Sequence, residues 1–192
     1  MRRVTLILLA TISLFASAGG AQAAGGNYVF DGGSPKARST VRAALNASSF
    51  DWNVVSARVT IHLTPIARSQ AVKGEIWLDP KLVDAGVYSW GFIQHEYAHQ
   101  VDFFRFNDEQ HASWLDRLGG VSWWQSGRAP HSRLGSERFA STLAWAFWPS
   151  KQNALRPHST SDESAAMAPE RFRQLLAKQL DAPQLMRAPA RR

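Results

Sequence analysis

Two histidines and a glutamate stand at a spacing that can do hydrolytic chemistry. They are His95, Glu96 and His99, in the run His95-Glu96-Tyr97-Ala98-His99. On a helix, side chains four apart lie one above the other on the same face, so both imidazoles can reach a single ion. Glu96 falls beside them, placed to take a proton from a water held at that ion. This is the HExxH arrangement, in which two ligands and a general base serve a zinc ion. The chain has no cysteine. Disulfides and thiolate ligands are excluded, and any metal must sit on His, Asp or Glu.

The alternative is a surface helix with two solvated histidines. Against it, Ile93, Tyr97, Val101 and Phe104 form an apolar stripe on another face of the same helix, and Phe92 and Phe103 widen it. A helix apolar over so much of its circumference is buried, and buried imidazoles and a buried carboxylate need partners. A catalytic zinc takes three protein ligands and leaves a fourth position for water. The metzincin pattern would need Gly at 102 and His at 105; this chain has Asp102 and Arg105. Glu137 is the better candidate for the third ligand, with His111 and Asp102 as rivals. It opens a downstream helix whose face continues through the small residues Ala140, Ser141 and Ala144, which would let two helices pack closely. An acid there is also what the helix dipole favours without any metal.

Several elements must position these groups. A helix over about Pro35 to Ser48 is capped by Ser34 and buries Ala37, Val41, Ala44 and Leu45. Val55, Ala57, Val59, Ile61 and Leu63 alternate with polar residues as a strand, with His62 on its solvated side. A second strand spans about Val72 to Leu78, with Gly74 inside it. Asp79-Pro80 starts a short turn closed by Gly86. Ser89 then caps the helix of about Trp90 to Arg105. Asn107 or Asp108 opens a helix of about Glu109 to Leu118, ended by Gly119-Gly120. A loop containing Trp123, Trp124 and His131 leads to Ser136, the expected cap of a helix over about Glu137 to Trp148. A polar stretch, Ser150 to Ser164, links to a last helix, about Pro169 to Leu180. Gly25-Gly26 and Gly32-Gly33 read as a loose lead-in. Strands early and helices late make an α+β domain with a small mixed sheet.

The 192 residues suit one domain, and 45% hydrophobic content excludes a disordered chain. The first 23 residues read as a signal peptide. Arg2 and Arg3 precede an apolar run, Val4 to Ala18, and Ala21-Gln22-Ala23 offers small residues for cleavage before Ala24. The run is shorter than the roughly 20 residues of a spanning helix, so no stable membrane span is expected after cleavage. The protein is therefore expected to be exported, either secreted or held in the periplasm or cell envelope. The formal net charge is +7, but the basic residues are scattered and match no nucleic-acid module, so no nucleic-acid partner is expected. Residues 181–192 read as a flexible basic tail.

The HExxH run followed by Asp102, and then Ser136-Glu137-Arg138-Phe139-Ala140 leading into Trp145-Ala146-Phe147, resembles the gluzincin group of zinc metallopeptidases. Among them it is closest to the anthrax lethal factor-like catalytic domain. The resemblance covers about Gly74 to Leu180 and includes Ala168-Pro169-Glu170-Arg171-Phe172. It implies a single zincin-like domain over residues 24–180, zinc on His95, His99 and Glu137, and Glu96 as general base. It also implies that Asp102 supports a ligand from behind. Two positions depart from the pattern. Ser141 stands where related enzymes often place an acid that orients a ligand histidine. The tyrosine that would stabilise an oxyanion is missing, and His131 is the available substitute. The resulting expectation is a monomeric, exported zinc peptidase with a peptide or protein substrate, bound along the strand Val72 to Leu78 near Glu75 and Trp77. The alternative is an exported protein of the same fold that binds zinc without hydrolysis.

Overall fold

Alternation along the chain builds a two-faced sheet. In β2 (Val59–Leu63), Val59, Ile61 and Leu63 are buried while Thr60 and His62 face outward. The computed structural model describes residues 25–125 and 127–186. The expected leader and its cleavage point lie outside the described residues, as do residues 187–192. Residues 28–32 are not a loose lead-in. They form β1 (Tyr28–Gly32), paired parallel to β2, and α1 (Pro35–Ala47) makes the crossover that a parallel pair requires. Ser34 caps α1 through its side chain, and the buried residues of α1 are the four expected ones. The ladder starts only at Val59, where Tyr28 supplies a partner. Val55 is buried but unpaired, after a 3-10 turn at Trp52–Val54.

The second expected strand is two strands. Gly74 takes φ +87° and turns β3 (Gln70–Val72) back on β4 (Glu75–Leu78) as an antiparallel hairpin. β4 pairs parallel with β2, giving the order β1-β2-β4-β3. The sheet edge beside the helices is therefore β3, and β4 is interior. Glu75 and Trp77 project from the outer face. There Trp77 stacks on His62 at 4.8 Å, and His62 Nδ1 meets Asp31 at 2.8 Å, so His62 is not simply solvated.

A short helix, α2 (Pro80–Val83), is capped by Asp79 and leads through the 3-10 turn Gly86–Ser89 into α3 (Trp90–Arg105). That turn runs into the helix without a break, so Ser89 does not cap it. Its hydroxyl donates to the Gly86 carbonyl instead, at 2.7 Å. α3 is the central element: every residue from Ile93 to Asp102 is buried. It packs against α1, β3, β4 and α5 (Gly135–Phe147). Asn107 caps α4 (Asp108–Leu118) in a reciprocal pair with Gln110, and Gly119 in the left-handed region ends it.

Ser136 does not cap α5. The first amides of the helix are taken by backbone instead: Gly135 donates to the Ser122 carbonyl at 2.8 Å and Ser136 to the Trp123 carbonyl at 3.2 Å. The stretch Ser150 to Ser164 is more than a linker. Buried Asn153 donates to the Ala144 and Trp148 carbonyls at the end of α5, and a 3-10 turn at Glu163–Ala165 docks on the same helix. α6 (Pro169–Gln179) closes the core through Phe172 and Leu176. A turn at Pro183–Met186 follows α6 and buries Leu185. The helices and the inner sheet face share one core, so the architecture is the expected α+β domain. Among the described residues, no helix is long and apolar enough to cross a membrane.

Gln100 ties the sheet edge to α3. Its amide donates to the Val72 and Glu75 carbonyls at 2.8 and 3.2 Å, and its oxygen accepts from the Gly74 amide at 2.8 Å. The side chain is fully buried. Gln100→Ala leaves these groups unpaired and is expected to cost about 1–3 kcal/mol in urea unfolding. Hydrogen exchange at the Gly74 amide should accelerate in the same variant.

Candidate metal centre

Close helix packing brings the candidate ligands together. Ala140, Ser141 and Ala144 of α5 are buried against α3, as their small size allows. His95 and His99 of α3 then meet Glu137 in the first turn of α5. His95 Nε2 lies 3.1 Å from Glu137 Oε2 and 3.1 Å from His99 Nε2, and His99 Nε2 lies 3.5 Å from the same carboxylate oxygen. A tetrahedral ion with bonds of about 2.0–2.1 Å holds its ligand atoms roughly 3.3 Å apart. The observed triangle has that spacing, and two imidazoles with a carboxylate form a donor set suited to it. His95, His99 and Glu137 can therefore hold a metal ion.

The rivals for the third position are elsewhere. Asp102 is fully buried, but its oxygens accept from His111 Nε2 at 2.6 Å and from Trp123 Nε1 at 3.1 Å. It bonds neither His95 nor His99, so it does not support a ligand directly, as the resemblance implied. Instead it pins the loop after α4, where the His111 ring stacks on Trp123. His111 is thereby committed to Asp102 and stays out of the triangle.

His131 is brought to the site by a 3-10 turn at His131–Arg133. Both ring nitrogens face carboxylates: Nε2 is 3.2 Å from Glu137 Oε2 and Nδ1 is 3.0 Å from Glu163 Oε1. His131, Glu137 and Glu163 are close enough to share an ion as well. That trio is more exposed, and it competes with the first for Glu137. Glu163 itself was not anticipated. It sits in a polar stretch with no periodicity to mark it, and the only hint was that Ser141 occupied a place where an acid was expected.

Electrostatics separates the Glu96 and Glu137 carboxylates. Burial pushes Glu96 above the usual carboxylate range, aided by Glu137 and only partly opposed by His95, His99 and His131. Burial would raise Glu137 too, but hydrogen bonds and charge from His95 and His99 outweigh it and hold this carboxyl well below the usual range. In His99, burial acts downward, and the bond and charge of Glu137, with Glu96 and Asp102, overcome it to a net rise. Glu137 is thus held as an anion, while Glu96 takes a proton more readily than an ordinary carboxylate.

His95, Glu96, His99, His131, Glu137 and Glu163 face a cavity of about 820 Å³. One wall is β3 and the residues before it, including Arg68 and Ser69. The other carries Phe103 and Trp124, stacked at 5.2 Å. Glu75 and Trp77, on the outer sheet face, do not line it.

No protein-family model, curated protein or solved structure matches this chain. The chemistry of the site therefore rests on its geometry. In competition titrations with a divalent metal, Glu137→Ala should weaken binding by more than the roughly 10–100-fold typical of losing a supporting partner. His111→Ala should leave affinity near wild type.

Proposed function

We propose that this protein is an exported zinc peptidase, in which His95, His99 and Glu137 hold the ion and Glu96 is the general base. The observation that carries the reading is the triangle of two imidazole nitrogens and one carboxylate oxygen at the floor of a cavity bordered by a free strand edge. Bound there, zinc supplies polarisation of the scissile carbonyl and a lowered pKa for water, towards about 7. Glu96 accepts the proton of the attacking water and returns it to the leaving amine. The raised affinity of Glu96 for a proton suits both halves of that transfer. Among the described residues β3 pairs on one side only, with β4, so an extended peptide can add to its other edge through backbone hydrogen bonds. The substrate strand is thus Gln70–Val72 rather than the longer segment read from the sequence. His131 is the side chain nearest to hand for stabilising an oxyanion, reaching over Glu137 from the loop.

Zinc binding without hydrolysis is the second reading. It is favoured by one observation: both nitrogens of His131 are engaged by carboxylates, so no imidazole N–H is left free to meet an oxyanion.

Hydrolysis of a broad peptide library, abolished by chelation and restored by zinc, decides between the two. Glu96→Gln should keep the metal and lose about 10²–10⁴ in rate, because an amide cannot take the water's proton. Activity at the wild-type level in that variant would sink the mechanism. His131→Ala should lower kcat by about 10²–10³ with KM and zinc content unchanged if it donates to the oxyanion. An unchanged kcat would assign that role to backbone amides. Export is tested by the mass of the protein outside the cell, expected to begin at Ala24.

A further inference from the structure

Behind the triangle, a hydrogen-bonded relay leads from α3 to the turn at Glu163. His95 Nδ1 lies 3.0 Å from Ser141 Oγ, and the Ser141 hydroxyl donates to Glu163 Oε2 at 2.8 Å. The backbone of Glu163 is gripped by the next residue of α5, since Thr142 Oγ1 donates to its carbonyl at 3.2 Å. Its other carboxylate oxygen takes His131 Nδ1. Ser141 is buried, at 1% exposure.

The direction of the relay follows from the donor inventory. An ionised carboxylate only accepts, and a serine hydroxyl has one proton to give. With that proton turned to Glu163, Ser141 Oγ is left to accept, and His95 must donate to it from Nδ1. A neutral His95 protonated at Nδ1 presents its lone pair at Nε2. That is the nitrogen 3.1 Å from Glu137 Oε2. His95 Nε2 then accepts, and the groups facing it are Glu137 Oε2 and, also at 3.1 Å, His99 Nε2, which can donate to it when no cation lies between them. The opposite tautomer would aim a proton into the triangle and block the ligand.

We propose that Glu163 is a positioning residue that fixes the tautomer of His95 through Ser141, presenting Nε2 to a metal, while its second oxygen holds His131 beside Glu137. The proposal rests on the reading of His95 as a ligand. It also explains the serine at 141, which carries the influence of an acid that lies 22 residues downstream rather than on α5 itself.

The test has two arms. In metal-free protein, held in mildly alkaline buffer, nitrogen NMR of the ring should show His95 protonated at Nδ1. Ser141→Ala and Glu163→Ala should shift it towards the Nε2-protonated form, and Glu163→Ala alone should also perturb His131. In the second arm, competition with a chromophoric chelator should show both variants binding Zn2+ about 10–100-fold more weakly than wild type. Glu163→Gln keeps an acceptor for Ser141 and should recover most of the loss. Alanine suits position 141 inside α5 and Gln at 163 is nearly isosteric, so folded protein is expected for Ser141→Ala and Glu163→Gln, and all three variants are checked by thermal unfolding. A wild-type tautomer and wild-type affinity in Ser141→Ala and Glu163→Ala would overturn the relay while leaving the peptidase reading intact. Absence of zinc binding by the wild type would instead sink the peptidase reading. The tautomer arm needs no metal, and in that event it still upholds or overturns the relay.

Discussion

A helix that carries His95, Glu96, His99, Gln100 and Asp102 into the interior creates a debt of polar groups that its neighbours must satisfy. Each unpaired group in a core costs on the order of 1–3 kcal/mol, more if charged. The rest of the fold can be understood as the answers. The hairpin satisfies Gln100, the tryptophan loop satisfies Asp102, and α5 with the following turn satisfies His95. Among the described residues Gln94 Oε1 is left buried without a partner, and at Glu96 burial dominates and raises the carboxyl's affinity for a proton.

These answers interlock. The loop that reaches Asp102 through Trp123 also starts α5, because the carbonyls of Ser122 and Trp123 receive the first amides of that helix. Glu137 therefore sits in a helix turn whose start is fixed by α3's own buried acid. Trp123 and Phe139 belong to the aromatic packing around Trp114 and Phe172, which joins α4, α5 and α6 in one body. The two ligand helices are held at their separation by small side chains between them and by large rings behind them.

Local signals in the chain were enough for what depends on local physics. The bounds of α3, the cap and buried face of α1, and the Asn107 cap with the glycine stop of α4 follow from periodicity and capping chemistry. Glu137 could be named chiefly because the run Ser136-Glu137-Arg138-Phe139-Ala140 resembles the gluzincin pattern, with the helix start and small-residue face as further signs. What escaped depends on partners distant in sequence. β1 is five residues long and acquires its identity only by lying beside β2. Ser136 carries every mark of a cap, yet carbonyls from residues 122 and 123 displaced it from the role. The break at Gly74 was visible as a glycine in a strand, but not as a turn, because alternation runs on across it. Glu163 lies in a polar stretch where one acid looks like another until α5 folds beneath it.

The Gln100 clamp has a mechanical consequence. It follows His99 directly in the chain, and its amide grips both strands of the hairpin at once. The sheet margin and the imidazole-bearing helix are thus bolted into a single rigid gauge. A peptide bound along β3, as proposed, would inherit its offset from His95, His99 and Glu137 through this one side chain. The phase of such a segment, meaning which of its bonds lies over the ligands, is then a dimension of the scaffold, and changing it requires a new hairpin length rather than a new loop.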